Sequence, residues 1–164
     1  MAFNEIKIIP TENDGFVAIA ALQQSFGGYG SVVFKADSNG NIIWAKRLKP
    51  DIKKYTTISL GCAYANDMSI YTIHTVIDSG LVIEKLNAKG EFIWNRYLPT
   101  VDNRTILSDF AFAVTTPDNG LVISISVSKI YKGEDHNHLL KISKDGDAEW
   151  EYSAQQHLII TGIV

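Results

Sequence analysis

The stretch that decides the fold is residues 35–44, which read KADSNGNIIW. A lysine is followed five positions later by a glycine, and four positions after that by a tryptophan. The same spacing recurs at residues 85–94 (KLNAKGEFIW) and at residues 141–150 (KISKDGDAEW). In each copy an apolar run precedes the lysine, and a small polar turn contains the glycine. A pattern that returns about every fifty residues is the mark of an internally repeated architecture.

Each copy of this pattern predicts a β-hairpin. In the first copy, runs rich in β-branched and aromatic residues at 31–37 and 41–48 flank a turn at 38–40. Two such runs around an Asn, Asp or Gly turn are typical of antiparallel strands. Because alternate residues of a strand share one face, we expect Trp44 to point the same way as Ile42, into a buried face. The other hairpins are predicted at 81–87 with 91–98 and at 138–143 with 147–154.

A second pair of strands precedes each hairpin. The runs lie at 3–10 and 16–22, at 57–65 and 68–76, and at 106–115 and 121–127. No segment carries the 3.6-residue apolar period of a helix. Four strands per repeat predict the blade of a β-propeller. The predicted fold is all-β, with three four-stranded antiparallel blades in one propeller-type domain, residues 1–164. Blade one covers 1–48, blade two 56–98 and blade three 106–154.

One segment carries a family resemblance. Residues 36–44, ADSNGNIIW, resemble the tryptophan-docking motif of pyrroloquinoline-quinone-type repeats found in bacterial β-propeller proteins. The resemblance extends over nearly the whole chain, and it implies that Trp44, Trp94 and Trp150 each dock one blade onto its neighbour. Only the first copy keeps both the alanine and the aspartate of the motif. Quinone-dependent members use vicinal cysteines, whereas this chain has the single Cys62, so no quinone or other cofactor is expected.

Three blades are fewer than a closed propeller contains, since propellers close with about four to eight blades. An open arc would leave two apolar faces in water. We therefore expect a homodimer that completes a ring of six blades, because twofold symmetry is the commonest in homo-oligomers. The alternative is a fragment of a longer propeller. Residues 157–164 are predicted to be a C-terminal strand or latch between chains, or the start of a fourth blade. Glu149, which replaces Ile43 and Ile93 of the other copies, predicts that Trp150 lies at an open end.

The connections of the predicted blades divide into two rims. The first and third turns of every blade are short and regular, whereas the second turns and the links between blades vary in length. Variable loops on a rigid scaffold are typical of binding surfaces, so the variable rim predicts recognition of a protein partner, with carbohydrate as the alternative ligand. The predicted rim residues are Tyr29, Arg47, Lys53, Tyr55, Arg104, Tyr131 and His136.

Catalytic and metal-binding patterns are weak. His136 and His138 would face one side of a strand and could hold a metal, but the sequence offers no obvious further ligands, so no metal is predicted. His74 is predicted to be a packed or hydrogen-bonded side chain, and Cys62 a small buried one. With no nucleophile elbow or paired catalytic set, the chain is predicted to be non-enzymatic.

Composition narrows the class of protein further. The 46% of hydrophobic and 20% of charged residues fit a folded globular protein. A net charge of −3 provides no general attraction to nucleic acid or to an acidic membrane, so neither is expected as a partner. The first residues, MAFNEIKIIP, do not resemble a secretory signal, which favours a soluble cytoplasmic protein. The sequence therefore predicts a binding or assembly module.

Overall fold

The chain forms three four-stranded antiparallel sheets, and the strands of each sheet follow one another in chain order. The structure, a computed structural model, describes residues 3–23, 29–48, 57–76, 80–99, 112–128 and 135–154. Sheet 1 contains β1 (Phe3–Pro10), β2 (Phe16–Gln23), β3 (Tyr29–Ala36) and β4 (Ile42–Leu48). Sheet 2 contains β5 (Thr57–Tyr64), β6 (Ile70–Val76), β7 (Gly80–Leu86) and β8 (Phe92–Pro99). Sheet 3 contains β9 (Phe112–Thr115), β10 (Leu121–Ser128), β11 (Asp135–Ile142) and β12 (Ala148–Ala154).

The predicted all-β class is confirmed. The described ranges contain no α-helix, and the only helical turn there is a 3-10 turn at Glu12–Asp14. In the same part of the chain, no helix has the length and apolar character needed to cross a membrane. Several described strand ends differ from the prediction by one or two residues. The start of β11 differs by three, because β11 begins at Asp135, which pairs with Ser128, so the β10–β11 connection is shorter than expected.

The turn that joins the third and fourth strands has the same geometry in all three sheets. The first turn residue, which is Asp37, Asn87 or Ser143, uses a side-chain oxygen to accept hydrogen bonds from backbone N–H groups two and four positions later. The glycine three positions after this residue has a positive φ of 81°, 75° or 92°. Glycine enters this left-handed region without a steric penalty, which explains why the repeated pattern requires it.

A β-bulge follows each of these turns. In sheet 1, Lys35 pairs with Trp44 whereas its neighbour Ala36 pairs with Ile42, so Ile43 is the extra residue. The same slip occurs in the other two sheets. Because a bulge re-aims the side chains before it, the predicted common buried face of Ile42 and Trp44 is wrong. The Ile42 side chain is 64% exposed.

Glu149 was used above to predict that Trp150 lies at an open end, and the position of Glu149 in the bulge removes the reason for that prediction. Its counterparts Ile43 and Ile93 are themselves exposed, at 58% and 49%. A polar residue at the bulge is therefore no sign that sheet 3 lies at an open end.

The sheets stack face to face, with sheet 2 in the middle. One core layer joins sheet 1 to sheet 2, and another joins sheet 2 to sheet 3. Strand β5 contacts both β1 and β9, so the first strands of the three sheets converge. Neither core layer joins sheet 1 to sheet 3 among the described residues, and the stack is open. The first layer contains Val17, Ile19, Val33, Leu48, Cys62, Ile70 and Leu86. The second is built on Tyr71, Ile73, Leu81, Ile83, Leu121, Ile123, Ile125, Leu140 and Ile142.

A comparison of two turn glycines tests how sheets 1 and 2 fit together. A Cβ on Gly90 would lie 2.8 Å from the Trp44 ring, whereas a Cβ on Gly40 would meet nothing within 4 Å. Gly40→Ala should therefore lower the free energy of unfolding by only about 1–2 kcal/mol, the strain of a left-handed residue. Gly90→Ala should cost about 1–3 kcal/mol more, because the ring must move. Chemical denaturation of both variants measures this difference, and equal losses would contradict the described junction.

Candidate functional site

The junction between sheets 1 and 2 is held by side chains of β4 that reach the β7–β8 turn. The indole Nε1 of Trp44 donates a hydrogen bond to the carbonyl of Ala88 at 3.1 Å. Two residues further along β4, Lys46 Nζ donates to the carbonyl of Gly90 at 2.9 Å. The Trp44 ring is half-buried and packs against the core layer below it. Both acceptors are backbone carbonyls of the turn. The junction therefore gives hydrogen-bond partners to polar groups in addition to packing apolar side chains together.

The junction between sheets 2 and 3 repeats this arrangement. Trp94 Nε1 donates to the carbonyl of Lys144 at 3.0 Å, in the β11–β12 turn. Arg96, two residues further along β8, donates through Nε to the carbonyl of Gly146 at 3.1 Å. The Arg96 guanidinium also lies over the Trp94 ring, 5.6 Å from its centroid. Lys85 Nζ donates to the same Lys144 carbonyl at 3.2 Å.

A second turn of sheet 3 also receives a bond from sheet 2. The Tyr71 hydroxyl donates to the backbone carbonyl of Asn119 at 2.6 Å. Burial raises the pKa of Tyr71, so its hydroxyl keeps the proton that it donates. In the β5–β6 turn of sheet 2, the backbone N–H of Asp67 donates to the side-chain oxygen of Asn119 at 3.2 Å. All these bonds run from one sheet to the next sheet in chain order.

The third tryptophan makes no such contact in the described structure. Trp150 is 47% exposed, and Tyr152, two residues further along β12, is 62% exposed. The docking role implied by the resemblance leads us to expect three largely buried tryptophans; this expectation is wrong for Trp150, and Trp44 and Trp94 are only half-buried. At the opposite end of the stack, Ile8 on β1 is 63% exposed. Both ends of the stack thus present apolar side chains to solvent.

The predicted rim residues are not assembled into a described site. Arg47 is exposed on β4, on the opposite face from Lys46. Tyr29 and His136 belong to β3 and β11 by their backbones. Lys53, Tyr55, Arg104, Tyr131 and the segment 157–164 lie outside the described residues.

The sequence interpretation missed the cations that follow the tryptophans. Lys46 and Arg96 were not predicted to make a contact within the fold, yet both bind turn carbonyls of the next sheet. Their positions in the repeat could have indicated a shared role, because each cation stands two residues after a tryptophan. In the third copy that position holds Tyr152.

The histidines of β11 were considered as metal ligands. His138 Nδ1 lies 2.8 Å from Glu151 Oε1 and 2.8 Å from Ser153 Oγ, so this ring nitrogen already has protein partners. Among the residues that the structure describes, no group of three or more His, Cys, Asp or Glu side chains is placed to hold a metal ion.

A buried polar cluster lies on the face of sheet 2 that meets sheet 1. His74 Nε2 is 3.3 Å from Glu84 Oε2 and 3.1 Å from Thr72 Oγ1. His74 and Thr72 are completely buried, and Glu84 is 5% exposed. The prediction of His74 as a bonded, packed side chain is confirmed. Its partner Glu84 was missed, although a glutamate inside the apolar run LVIEKL is a visible sign of a buried polar contact.

Sheet 3 shows that the fold does not require this cluster. The pair Thr72–Glu84 of sheet 2 corresponds to the pair Ile123–Leu140 of sheet 3. Glu84 and Leu140 each stand directly before the lysine of the repeat. The counterpart of His74 is Ile125, so the same positions of sheet 3 are apolar.

Two further atoms of the sheet 1–sheet 2 junction are unusual. Neither His74 Nδ1 nor Ser31 Oγ has a hydrogen-bond partner among the described residues, although both atoms are buried. Ser31 lies two residues from Val33 of the core layer and faces the same junction. Nearby, burial raises the pKa of Cys62 to about 12, which keeps the thiol protonated and unreactive at neutral pH.

No family model matches the chain, and no curated protein matches it. The functional argument therefore rests on the contacts described above.

The three tryptophans should differ in their effects on stability. Trp44→Ala and Trp94→Ala each remove a half-buried ring and a hydrogen bond between sheets, so each should cost about 3 kcal/mol, the lower end of the range for emptying a large aromatic site. Trp150→Ala should cost less than about 1 kcal/mol, because its ring makes no junction within the chain. Chemical denaturation at low protein concentration provides the comparison. Equal costs for all three would contradict the distinction.

The buried polar cluster can be tested by copying sheet 3. His74→Ile alone leaves the Glu84 carboxylate buried beside Thr72 only, and should cost about 3–5 kcal/mol. The combined change Thr72→Ile, His74→Ile and Glu84→Leu introduces the apolar set of sheet 3. It should be neutral or should raise the free energy of unfolding by about 1–4 kcal/mol. Urea unfolding measures both variants. A triple variant as unstable as the single one would mean that sheet 1 requires a polar neighbour.

Proposed function

We propose that this chain is a non-enzymatic interaction and assembly module, built from three blades of a β-propeller, that associates with itself through its two end sheets. The observation that carries the proposal is the repeated junction. Sheet 1 binds sheet 2, and sheet 2 binds sheet 3, through a tryptophan and a cation that donate to turn carbonyls.

The exposed ends of the stack support association. Ile6 and Ile8 on β1 are 49% and 63% exposed, while Trp150 and Tyr152 stand exposed on β12. At roughly 25 cal/mol per Å² of apolar surface removed from water, covering such faces favours association. Completion of the ring by a second chain would cover both ends at once, giving six blades, a number within the range in which propellers close.

The chemistry of the described residues gives little support to an enzyme. His74 is sealed between two sheets, and Cys62 is buried with a protonated thiol. A general base or nucleophile has to reach its substrate, and neither side chain is accessible to one.

The variable rim is the proposed surface for a further protein partner. In each sheet the second strand ends, and the third strand begins, at the end of the sheet opposite the regular turns. The sequence segments between these strands are residues 24–28, 77–79 and 129–134. Their lengths differ from sheet to sheet while the strands they join keep the same register. Such variation on a constant scaffold is typical of recognition loops.

The mass of the purified chain in solution tests the proposal. Light scattering at micromolar concentration should report about twice 18.2 kDa, because two chains complete the ring. The interface should bury more than about 1,000 Å² in total. A monomer that persists at these concentrations would sink the assembly function. Binding of that monomer to a glycan array would favour the carbohydrate alternative.

A further inference from the structure

The two open ends of the stack carry complementary halves of the junction that the chain already uses twice. We infer that Trp150 of one copy docks on the β3–β4 turn of a second copy, with its indole Nε1 donating to the carbonyl of Ser38. This inference rests on the proposed assembly function and specifies its contact.

The donor half lies on sheet 3. Trp150 pairs with Lys141 in the register in which Trp44 pairs with Lys35 and Trp94 with Lys85. Its indole therefore leaves the sheet from the same place as the two indoles that make junctions. Tyr152 occupies the position of Lys46 and Arg96, and its hydroxyl can donate to a carbonyl as those cations do.

The acceptor half lies on sheet 1. The Asp37 N–H donates to Asn41 O, and the Gly40 N–H donates to Asp37 O, as in the corresponding turns of sheets 2 and 3. Ser38 stands two residues before Gly40, the place that Ala88 and Lys144 hold before their glycines. The carbonyls of Ala88 and Lys144 are the ones that accept the indole bonds.

The space above the acceptor turn is open. A Cβ on Gly90 would strike the Trp44 ring at 2.8 Å, and one on Gly146 would meet Arg96 at 3.0 Å, because these turns are occupied. A Cβ on Gly40 would meet nothing within 4 Å. Of the three equivalent turns, this one has the same backbone but lacks the docked side chain.

Strand β1, in the same sheet as the acceptor turn, is partly uncovered. Ile8 pairs with Ala18 as Cys62 pairs with Thr72 in sheet 2. Cys62, which packs against sheet 1, is 6% exposed, whereas Ile8 is 63% exposed. At Ile8, sheet 1 thus lacks the cover that sheet 1 itself gives to Cys62 of sheet 2, whereas Ala18 and Ala20 on the same face are buried.

The lysine of the repeat contacts a next sheet in sheet 2 but not in sheet 3. Lys85 Nζ lies 3.6 Å from Asp67 Oδ2 of its own sheet and also donates to the Lys144 carbonyl of the next sheet. Lys141 Nζ binds Asp118 Oδ2 at 2.9 Å and Thr116 Oγ1 at 2.8 Å, both in its own sheet. The hydrogen bonds from Thr116 and Lys141 hold the pKa of Asp118 below its ordinary value, so the carboxylate stays charged beside the lysine.

A second copy of this chain is the occupant that fits both ends. Trp150 cannot reach the turn of its own sheet 1, because sheet 2 lies between them. A donor at one end and an acceptor at the other make a head-to-tail contact, which forms a closed ring when the rotation between copies allows it. Two arcs of three sheets close a ring with two identical junctions.

Two variants and their mixture test this contact. Trp150→Ala removes the donor, and Gly40→Asn fills the open space with a residue that tolerates a positive φ. Each variant alone has lost both junctions of the ring, so its dissociation constant should rise at least about tenfold. An equimolar mixture keeps one intact junction, between the donor of Gly40→Asn and the acceptor of Trp150→Ala, and should form a mixed dimer. Phe92→Ala, which removes another exposed aromatic ring, is the matched control and should dimerise as the unchanged chain does.

Native mass spectrometry and sedimentation over rising concentration are applied to the unchanged chain, the three variants and the mixture, with thermal unfolding as the check that each variant is folded. Dimers of either single variant at the unchanged affinity would overturn the Trp150 contact while leaving self-association in place. Failure of the mixture to form mixed dimers at any concentration would overturn the head-to-tail arrangement. A monomeric unchanged chain would instead reject the proposed function itself.

Discussion

The structure depends on one interaction, the hydrogen bond from an indole N–H on one sheet to a turn carbonyl on the next. The repeated glycine, with its positive φ and missing side chain, leaves room for the docked side chains, which are the Trp44 ring at Gly90 and Arg96 at Gly146. The cation two residues later binds the glycine carbonyl, so each turn is held at two points. These contacts fix the spacing and order of the sheets, and the apolar layers then fill the space between them. The same geometry explains why the chain has a donor left over at one end and an acceptor at the other.

The two internal junctions are alike in their turns but different in their cores. Between sheets 2 and 3 the equivalent positions hold Ile123, Ile125 and Leu140, whereas between sheets 1 and 2 they hold the His74–Glu84 cluster. A buried polar cluster contributes little net stability compared with well-packed apolar residues. Its best-supported role in proteins is to make alternative pairings unfavourable. Our hypothesis is that the polar cluster prevents the sheet 1 face of sheet 2 from packing on a wrong sheet. The apolar replacement variant tests this hypothesis, because mispaired assemblies should then appear in sedimentation.

Much of the fold could be read from the sequence, because turn glycines and alternating apolar runs are local signals. The run at 3–10 became β1 without a change of boundary, and the up-and-down order of the strands followed from short turns. The bulges at Ile43, Ile93 and Glu149 were missed because strand parity assumes an unbroken ladder. The contacts of Lys46 and Arg96 were missed for a different reason: they depend on which turn of another sheet lies above them. The rim residues were chosen from loop variability alone, which carries no information on contacts, and Arg47 is the one of the seven whose side chain the structure describes.

Hydrogen exchange of the three indole N–H groups, followed by NMR at two protein concentrations, tests the central claim most directly. The claim predicts slow exchange for Trp44 and Trp94 at every concentration, because their Nε1 atoms are bonded to turn carbonyls within the chain. It predicts that Trp150 exchanges rapidly in the dilute sample and becomes protected only when the chains associate. Exchange of the Trp44 and Trp94 indoles as fast as that of a free indole would contradict the account.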